Sequence, residues 1–89
     1  MYYVYVLKSL VDGSYYKGRT NEINRRLKEH ASGKTQSVRV KRPLKLVHVE
    51  VVDTIDEAKR LEIYFKSGFG REIIKEIDAD VAELVYAQP

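Results

Sequence analysis

Five side chains in the sequence have the types that phosphodiester hydrolysis calls for: Tyr5, Tyr16, Arg26, His30 and Glu62. That reaction needs a group to position or deprotonate water, a cation facing the charge that builds on phosphorus, and a metal near the leaving oxygen. Tyr5, Tyr16 and His30 are the proton-handling candidates, Arg26 is the phosphate clamp, and Glu62 is the ligand for a hard cation such as Mg²⁺. A phenol has a pKa of about 10, so a tyrosine acting as a base near neutrality needs a lowered pKa or a relay partner. His30 is the candidate relay. Structural roles stand beside these. A tyrosine packs well in a sheet, Arg26 is equally a snorkelling side chain or half of an ion pair, His30 suits a helix C-terminus, and Glu62 fits an ion pair or simple exposure.

The elements that must position these groups are legible from pattern. Residues 2–9, rich in Tyr and Val, read as a strand. Asp12-Gly13 predicts a two-residue hairpin turn, with residues 14–19 returning. In that register Ser9 faces Tyr16 and Leu7 faces Gly18. Tyr3, Tyr5 and Tyr16 then share one face, with Gly18 diagonal to Tyr5 and leaving room for a ligand. Lys17 goes to the other face with Tyr15 and Arg19. Asn21 is the expected N-cap of a helix that Gly33 ends. Its apolar stripe is Ile23, Leu27 and Ala31. Arg26 and His30 sit on the shoulder of that stripe, and Arg25, Lys28 and Glu29 face water.

Residues 34–43 read as a basic connection. Residues 44–52 alternate as a third strand, with Val47, Val49 and Val51 on one face. Thr54 and Glu57 form a capping box opening a second helix. Its inward stripe is Ile55, Ala58, Leu61 and Phe65. Glu62 falls within that inward face, where a carboxylate is expensive unless something pairs with it. The stretch SGFG (67–70) breaks that helix. A third follows from 71 to 77, its apolar positions continuing through Val81, Leu84 and Val85. The order ββαβαα predicts an α+β fold, a three-stranded antiparallel sheet flanked by helices. We expect residues 1–89 to form a single domain, with 78–89 as a C-terminal extension.

The 89 residues suffice for one compact core, and the net charge of +3 tilts the expected partner toward a polyanion. Cysteine is absent, which excludes disulfides, thiolate metal sites and cysteine nucleophiles. The opening run YYVYVL stops at Lys8 with no basic segment before it. Neither a signal peptide nor a membrane span is expected, and the expected location is the cytoplasm.

The segments YVY (3–5), YKG (16–18), RRLKEH (25–30) and EAKRLEIYFKSGFGR (57–71) together resemble the GIY-YIG nuclease superfamily, in particular its small single-domain bacterial members. The resemblance runs from Tyr2 to about Ile77. The ordered series carries it: two tyrosines eleven apart, an arginine ten beyond, a histidine four later and a glutamate in a later helix. It implies that Tyr5, Tyr16, Arg26 and His30 are catalytic, that Gly18 is structural at the site, and that Glu62 binds one Mg²⁺ or Mn²⁺ ion. It further implies DNA cleavage by in-line attack, with Tyr5 or a relay through it activating water. Tyr3 stands where the first motif has glycine, and Lys17 where the second has isoleucine. Tyr2, Tyr3 and Tyr15 are expected to pack or line the sheet.

Lys34, Arg39, Lys41, Arg42 and Lys45 are the candidate nucleic-acid contacts, a basic stretch that equally reads as a solvated loop. Thr35, Gln36 and Ser37 could add hydrogen bonds to phosphate. No recognition helix or second domain for reading sequence fits in 89 residues. The expectation is a structure- or backbone-recognising endonuclease, acting in repair or recombination, aided by a targeting protein, and monomeric or weakly dimeric. A non-catalytic nucleic-acid-binding module of the same fold is the alternative.

Overall fold

The computed structural model describes the backbone over residues 1–87, and side chains over 1–80 except residue 37. Its elements are β1 (Tyr2–Ser9), β2 (Tyr15–Thr20), α1 (Ile23–Ser32), α2 (Gln36–Arg39), β3 (Leu44–Val52), α3 (Ile55–Lys66) and α4 (Gly68–Ala87). The three strands form an antiparallel sheet in the order β2-β1-β3. The expected α+β architecture is present, with one short helix, α2, added inside the basic connection.

The hairpin differs from expectation in register. Its loop spans residues 10–13 rather than two residues. Ser9 takes the Ser14 carbonyl at 2.8 Å, and the ladder pairs Tyr5 with Gly18 and Leu7 with Tyr16. Ser9 explains the longer loop: its buried hydroxyl accepts from the amides of Val11 and Asp12 and donates to the Lys41 carbonyl. A slip of two residues preserves side-chain faces, whereas a slip of one inverts them. Tyr5 and Tyr16 therefore still share a face, and Gly18 moves from diagonal to directly opposite Tyr5.

One face of the sheet is dry. Val4, Val6 and Val47 pack there with Ala58 and Phe65 of α3 and Ile74 of α4. Each large side chain so buried contributes about 1.5–3 kcal/mol. Tyr2 and Tyr15 pack against this cluster, as expected of them. Val47 reaches it through a bulge in β3, which interrupts the predicted alternation with Val49 and Val51.

Helix ends also shift. The cap position of α1 is Glu22, not Asn21, because the Glu22 amide is held by the Thr20 hydroxyl at 3.0 Å. At the other end Gly33 adopts φ 80°, and the Gly33 and Lys34 amides return to the carbonyls of His30 and Glu29. Thr54 caps α3 as predicted, accepting from the Glu57 amide at 3.2 Å. The break between α3 and α4 is confined to Ser67. Its hydroxyl donates to the Tyr64 carbonyl and accepts from the Gly70 amide. Gly68, Phe69 and Gly70 already belong to α4. Gly70 lies against the α3 backbone, and a Cβ there would sit 2.7 Å from Phe65 Cα. The backbone of α4 runs on to Ala87, and the side chains of Val81, Leu84 and Val85 lie outside the described residues.

Candidate active site

The other face of the sheet carries Tyr5 and Tyr16. Tyr5, in the central strand, is 1% exposed, and its ring passes over Gly18. A Cβ at Gly18 would lie 2.5 Å from the Tyr5 hydroxyl oxygen, so glycine is what lets the phenol lie flat across β2. The last turn of α1 brings His30 onto the same spot, also 1% exposed. The Tyr5 hydroxyl and His30 Nε2 are 2.7 Å apart, and His30 Nδ1 is 2.7 Å from Thr35 Oγ1. The Tyr16 ring is edge-on to His30 at 5.2 Å between centroids and 6.3 Å from the Tyr5 ring. Arg26 stands half-buried one turn before His30, with Glu29 at 3.4 Å. Glu29, expected to face water, is its half-buried partner.

Electrostatics assign the protons. Burial pushes the Tyr5 phenol above its ordinary value, the neighbouring Arg26 guanidinium pulls it back, and the charges of Tyr16 and Glu62 push it up again. Burial pushes His30 below 6.5, and Arg26 adds to this while Glu29 opposes it. A neutral imidazole carries one N–H, so one of its two hydroxyl partners donates to the ring and the other accepts from it. We assign Tyr5 as donor to Nε2, with Nδ1–H donating to Thr35 Oγ1.

Glu62 is buried at 9% exposure on α3, as its place in the stripe predicted. Arg19, on β2, bonds its Oε1, and Lys66, one turn on, bonds its Oε2 at 3.1 Å. Both oxygens are thus neutralised by cations. Among the described residues no group of three or more His, Asp or Glu side chains could by itself hold a metal ion.

The basic stretch is only partly free for a ligand. Arg39 donates to the Gly33 carbonyl at 2.8 Å, and Arg42 donates to the carbonyls of Arg39 and Ala31, closing the ends of α1 and α2. Lys41 donates to Ser14 and pairs with Asp12, and Lys45 pairs with Asp78 of α4. Lys34 is the one of the five with no such bond among the described residues. Thr35, read as a phosphate contact, instead supports His30.

Sequence reasoning missed Thr35 in this role, and the pairing of Arg19 with Glu62. Thr35 follows the chain reversal at Gly33, so no helical spacing links it to His30. Arg19 was placed on the correct face of β2, but nothing in the pattern sets α3 beside it.

Known proteins resemble this chain in sequence and in fold. The family description "GIY-YIG catalytic domain" matches residues 1–75. The chain belongs to the GIY-YIG family. A UPF0213 protein of Bacillus licheniformis is 47% identical over 66 residues, covering 73% of this chain and 67% of that protein. One of Syntrophus aciditrophicus is 41% identical, covering 72% and 75%. The solution structure of a UPF0213 protein from Bacillus halodurans is 37% identical, with a TM-score of 0.54, covering 86% of this GIY-YIG chain and 85% of that one. The names of these relatives state no activity. Among the described residues no helix is long and apolar enough to cross a membrane.

Proposed function

We propose that this GIY-YIG domain is a metal-dependent endonuclease that hydrolyses DNA phosphodiester bonds and recognises backbone or structure rather than sequence. A role in repair or recombination and a targeting partner fit this reading. The observation that carries it is the hydrogen-bonded chain Tyr5–His30–Thr35, its first two members buried, beside Tyr16 and Arg26. A phenol and an imidazole sealed from water and hydrogen-bonded to each other exceed what packing requires.

In this reading Tyr16 and Arg26 face the substrate. Arg26 opposes the negative charge that grows on the phosphorus oxygens. Tyr5, His30 and Thr35 form the buried half: they hold the phenol cluster in place, and the neutral Nε2 accepts the proton whenever Tyr5 gives it up. Sealed from solvent in this conformation, Tyr5 acts on water through a relay rather than by direct contact.

Mg²⁺ fits the donor set only as an ion completed by water and substrate phosphate, which is its usual habit. Glu62 would hold it, exchanging Arg19 or Lys66 for the metal. Bound there, the ion would neutralise charge on the leaving oxygen.

One observation favours the non-catalytic module instead. Both Glu62 oxygens are satisfied by cations of the chain itself. The test is cleavage of a labelled DNA panel (single-stranded, duplex, flap, splayed arm, four-way junction) with Mg²⁺ or Mn²⁺. Wild type runs beside Glu62→Ala and Arg26→Ala. Metal-dependent cutting lost in both folded variants is the expected result. DNA binding by wild type without cutting on any substrate would leave the binding module.

A further inference from the structure

The sheet has two open edges, β2 and β3. Such an edge presents unpaired amides and carbonyls, a template for a further strand. β3 is the longer, and among the described residues its backbone bonds to nothing but β1. Opposite residues of an antiparallel pair share a face. Leu44, Leu46, Val49 and Val51 lie opposite Ser9, Leu7, Tyr5 and Tyr3, on the face that carries Tyr5. Leu46 is 46% exposed and Val51 is 52% exposed. Lys45, His48 and Glu50 lie opposite Lys8, Val6 and Val4 on the dry face, and Val47 packs there too.

The bulge makes this edge complementary to itself. A regular strand alternates faces from end to end. In β3, Val47 and His48 are successive residues on one face, so the two halves of the strand mirror each other about the point between them. Two copies of β3 laid antiparallel about that point match face to face at every position. Leu44 meets Val51 of the second copy, Lys45 meets Glu50, Leu46 meets Val49, and Val47 meets His48. Sliding the pair by one residue sets opposite faces together along most of the strand, and sliding it by two does so at the centre. The matched register also sets Lys45 against Glu50, and symmetry repeats that pair. Their side chains are 36% and 49% exposed, so both can reach across. β2 offers no such match. Its charges are Lys17 and Arg19 with no carboxylate, so a self-paired β2 brings only cations together.

We propose that the free edge of β3 is a homodimer interface, at which two copies of this chain join their sheets into one continuous antiparallel sheet. The symmetry is a two-fold axis perpendicular to the sheet, and the interface is isologous. That axis keeps the two Tyr5 faces on the same side of the joined sheet. A strand edge alone falls short of the roughly 800 Å² per partner of a standard interface, so the dimer is weak and forms as concentration rises. The interface stands apart from the endonuclease reading. Where both hold, the two sites meet one nucleic-acid molecule from the same side.

The test is sedimentation velocity without nucleic acid, over a concentration series reaching roughly 1 mM. It compares wild type with Leu46→Lys, Glu50→Lys and Ile63→Lys. Leu46 and Glu50 are exposed, so their variants fold; thermal melting checks this, and either variant alone decides the matter. Ile63 is 70% exposed on α3 and serves as the control. Wild type is expected to pass from 10.3 kDa toward twice that mass as concentration rises. Leu46→Lys sets a charge against Val49, and Glu50→Lys sets two lysines together, so both should stay monomeric throughout. Ile63→Lys should associate as wild type does. On dilution of wild type, NMR amide signals of residues 44–51 should move and those of residues 15–20 should not. A wild type that stays monomeric over the whole series would overturn the interface. A dimer that the folded β3 variants retain would overturn it too, as would dilution shifts centred on β2. No outcome here depends on cleavage, so the endonuclease reading stands or falls separately on its DNA panel.

Discussion

Burial and the neighbouring Arg26 guanidinium both disfavour a charged His30 imidazole. At the scale of the residue this makes two expectations. The first concerns pH. The unfolded histidine takes a proton near 6.5, and the folded one takes it only at lower pH. Stability from this group is therefore complete above 6.5 and is lost as pH falls through the folded value. In an NMR titration, where His30 and His48 are the only imidazoles, the His30 midpoint should lie below 6.5 and should rise in Arg26→Gln. A midpoint above 6.5, or one indifferent to Arg26, would contradict the buried neutral relay. The second concerns the Tyr5 hydroxyl. Tyr5→Phe keeps the ring but strips Nε2 of its donor, leaving a buried acceptor unsatisfied. The expected cost is about 1–3 kcal/mol in urea unfolding. Thr35→Val should cost a similar amount and free the tautomer. If Tyr5 were merely a packed ring, Tyr5→Phe would unfold at the same urea concentration as wild type.

At the scale of the element, the close approaches made by glycines decide the geometry. Gly18→Ala places a methyl within 2.5–2.6 Å of the Tyr5 hydroxyl oxygen and Cζ. The phenol cannot simply swing aside, because His30 holds it at 2.7 Å and the core encloses it. We expect a loss of about 1–3 kcal/mol and a His30 titration shifted toward its unfolded value. A Gly18→Ala protein with wild-type melting and an unmoved His30 signal would show that the ring has room. The same scale shows what the sequence discloses. The alternation of β1 and β2 was enough to put Tyr5 and Tyr16 together and Lys17 behind them, because a register error of two leaves faces unchanged. The length of the loop was not legible, because the Ser9 hydroxyl that organises it acts through contacts to Lys41 in another element. Gly70 read as a helix breaker, yet its structural reason is the α3 backbone packed against it. Periodicity reports which side of an element is buried. It does not report what lies against it, and for that reason the Glu62 carboxylate was found but its partners were not.

At the scale of the molecule, one carboxylate ties α4 to every strand. Asp78 accepts from Lys8 of β1 at 2.8 Å, from the Tyr15 hydroxyl of β2 at 2.8 Å and from Lys45 of β3 at 3.1 Å. The helix that carries it also carries Ile74 into the core. Loosening Asp78 therefore disturbs the dry face. The sequence concealed this clasp, because residue 78 lay where the chain read as an extension. Lys8, then Tyr15 and Lys45, hold the Asp78 carboxyl down at about 2, against burial, which pushes it up. A carboxylate depressed in the fold stabilises it fully above the unfolded value of 3.8, and that contribution drains away as pH falls toward about 2. With Lys8 and Lys45 partly solvated, the contribution is on the order of 1–2 kcal/mol. Acid titration of wild type should show stability falling between these two values. Asp78→Asn should lower stability at neutral pH and flatten that segment of the profile, since the group that titrates is gone. An acid profile unchanged by Asp78→Asn would assign the clasp no part in holding α4 to the sheet.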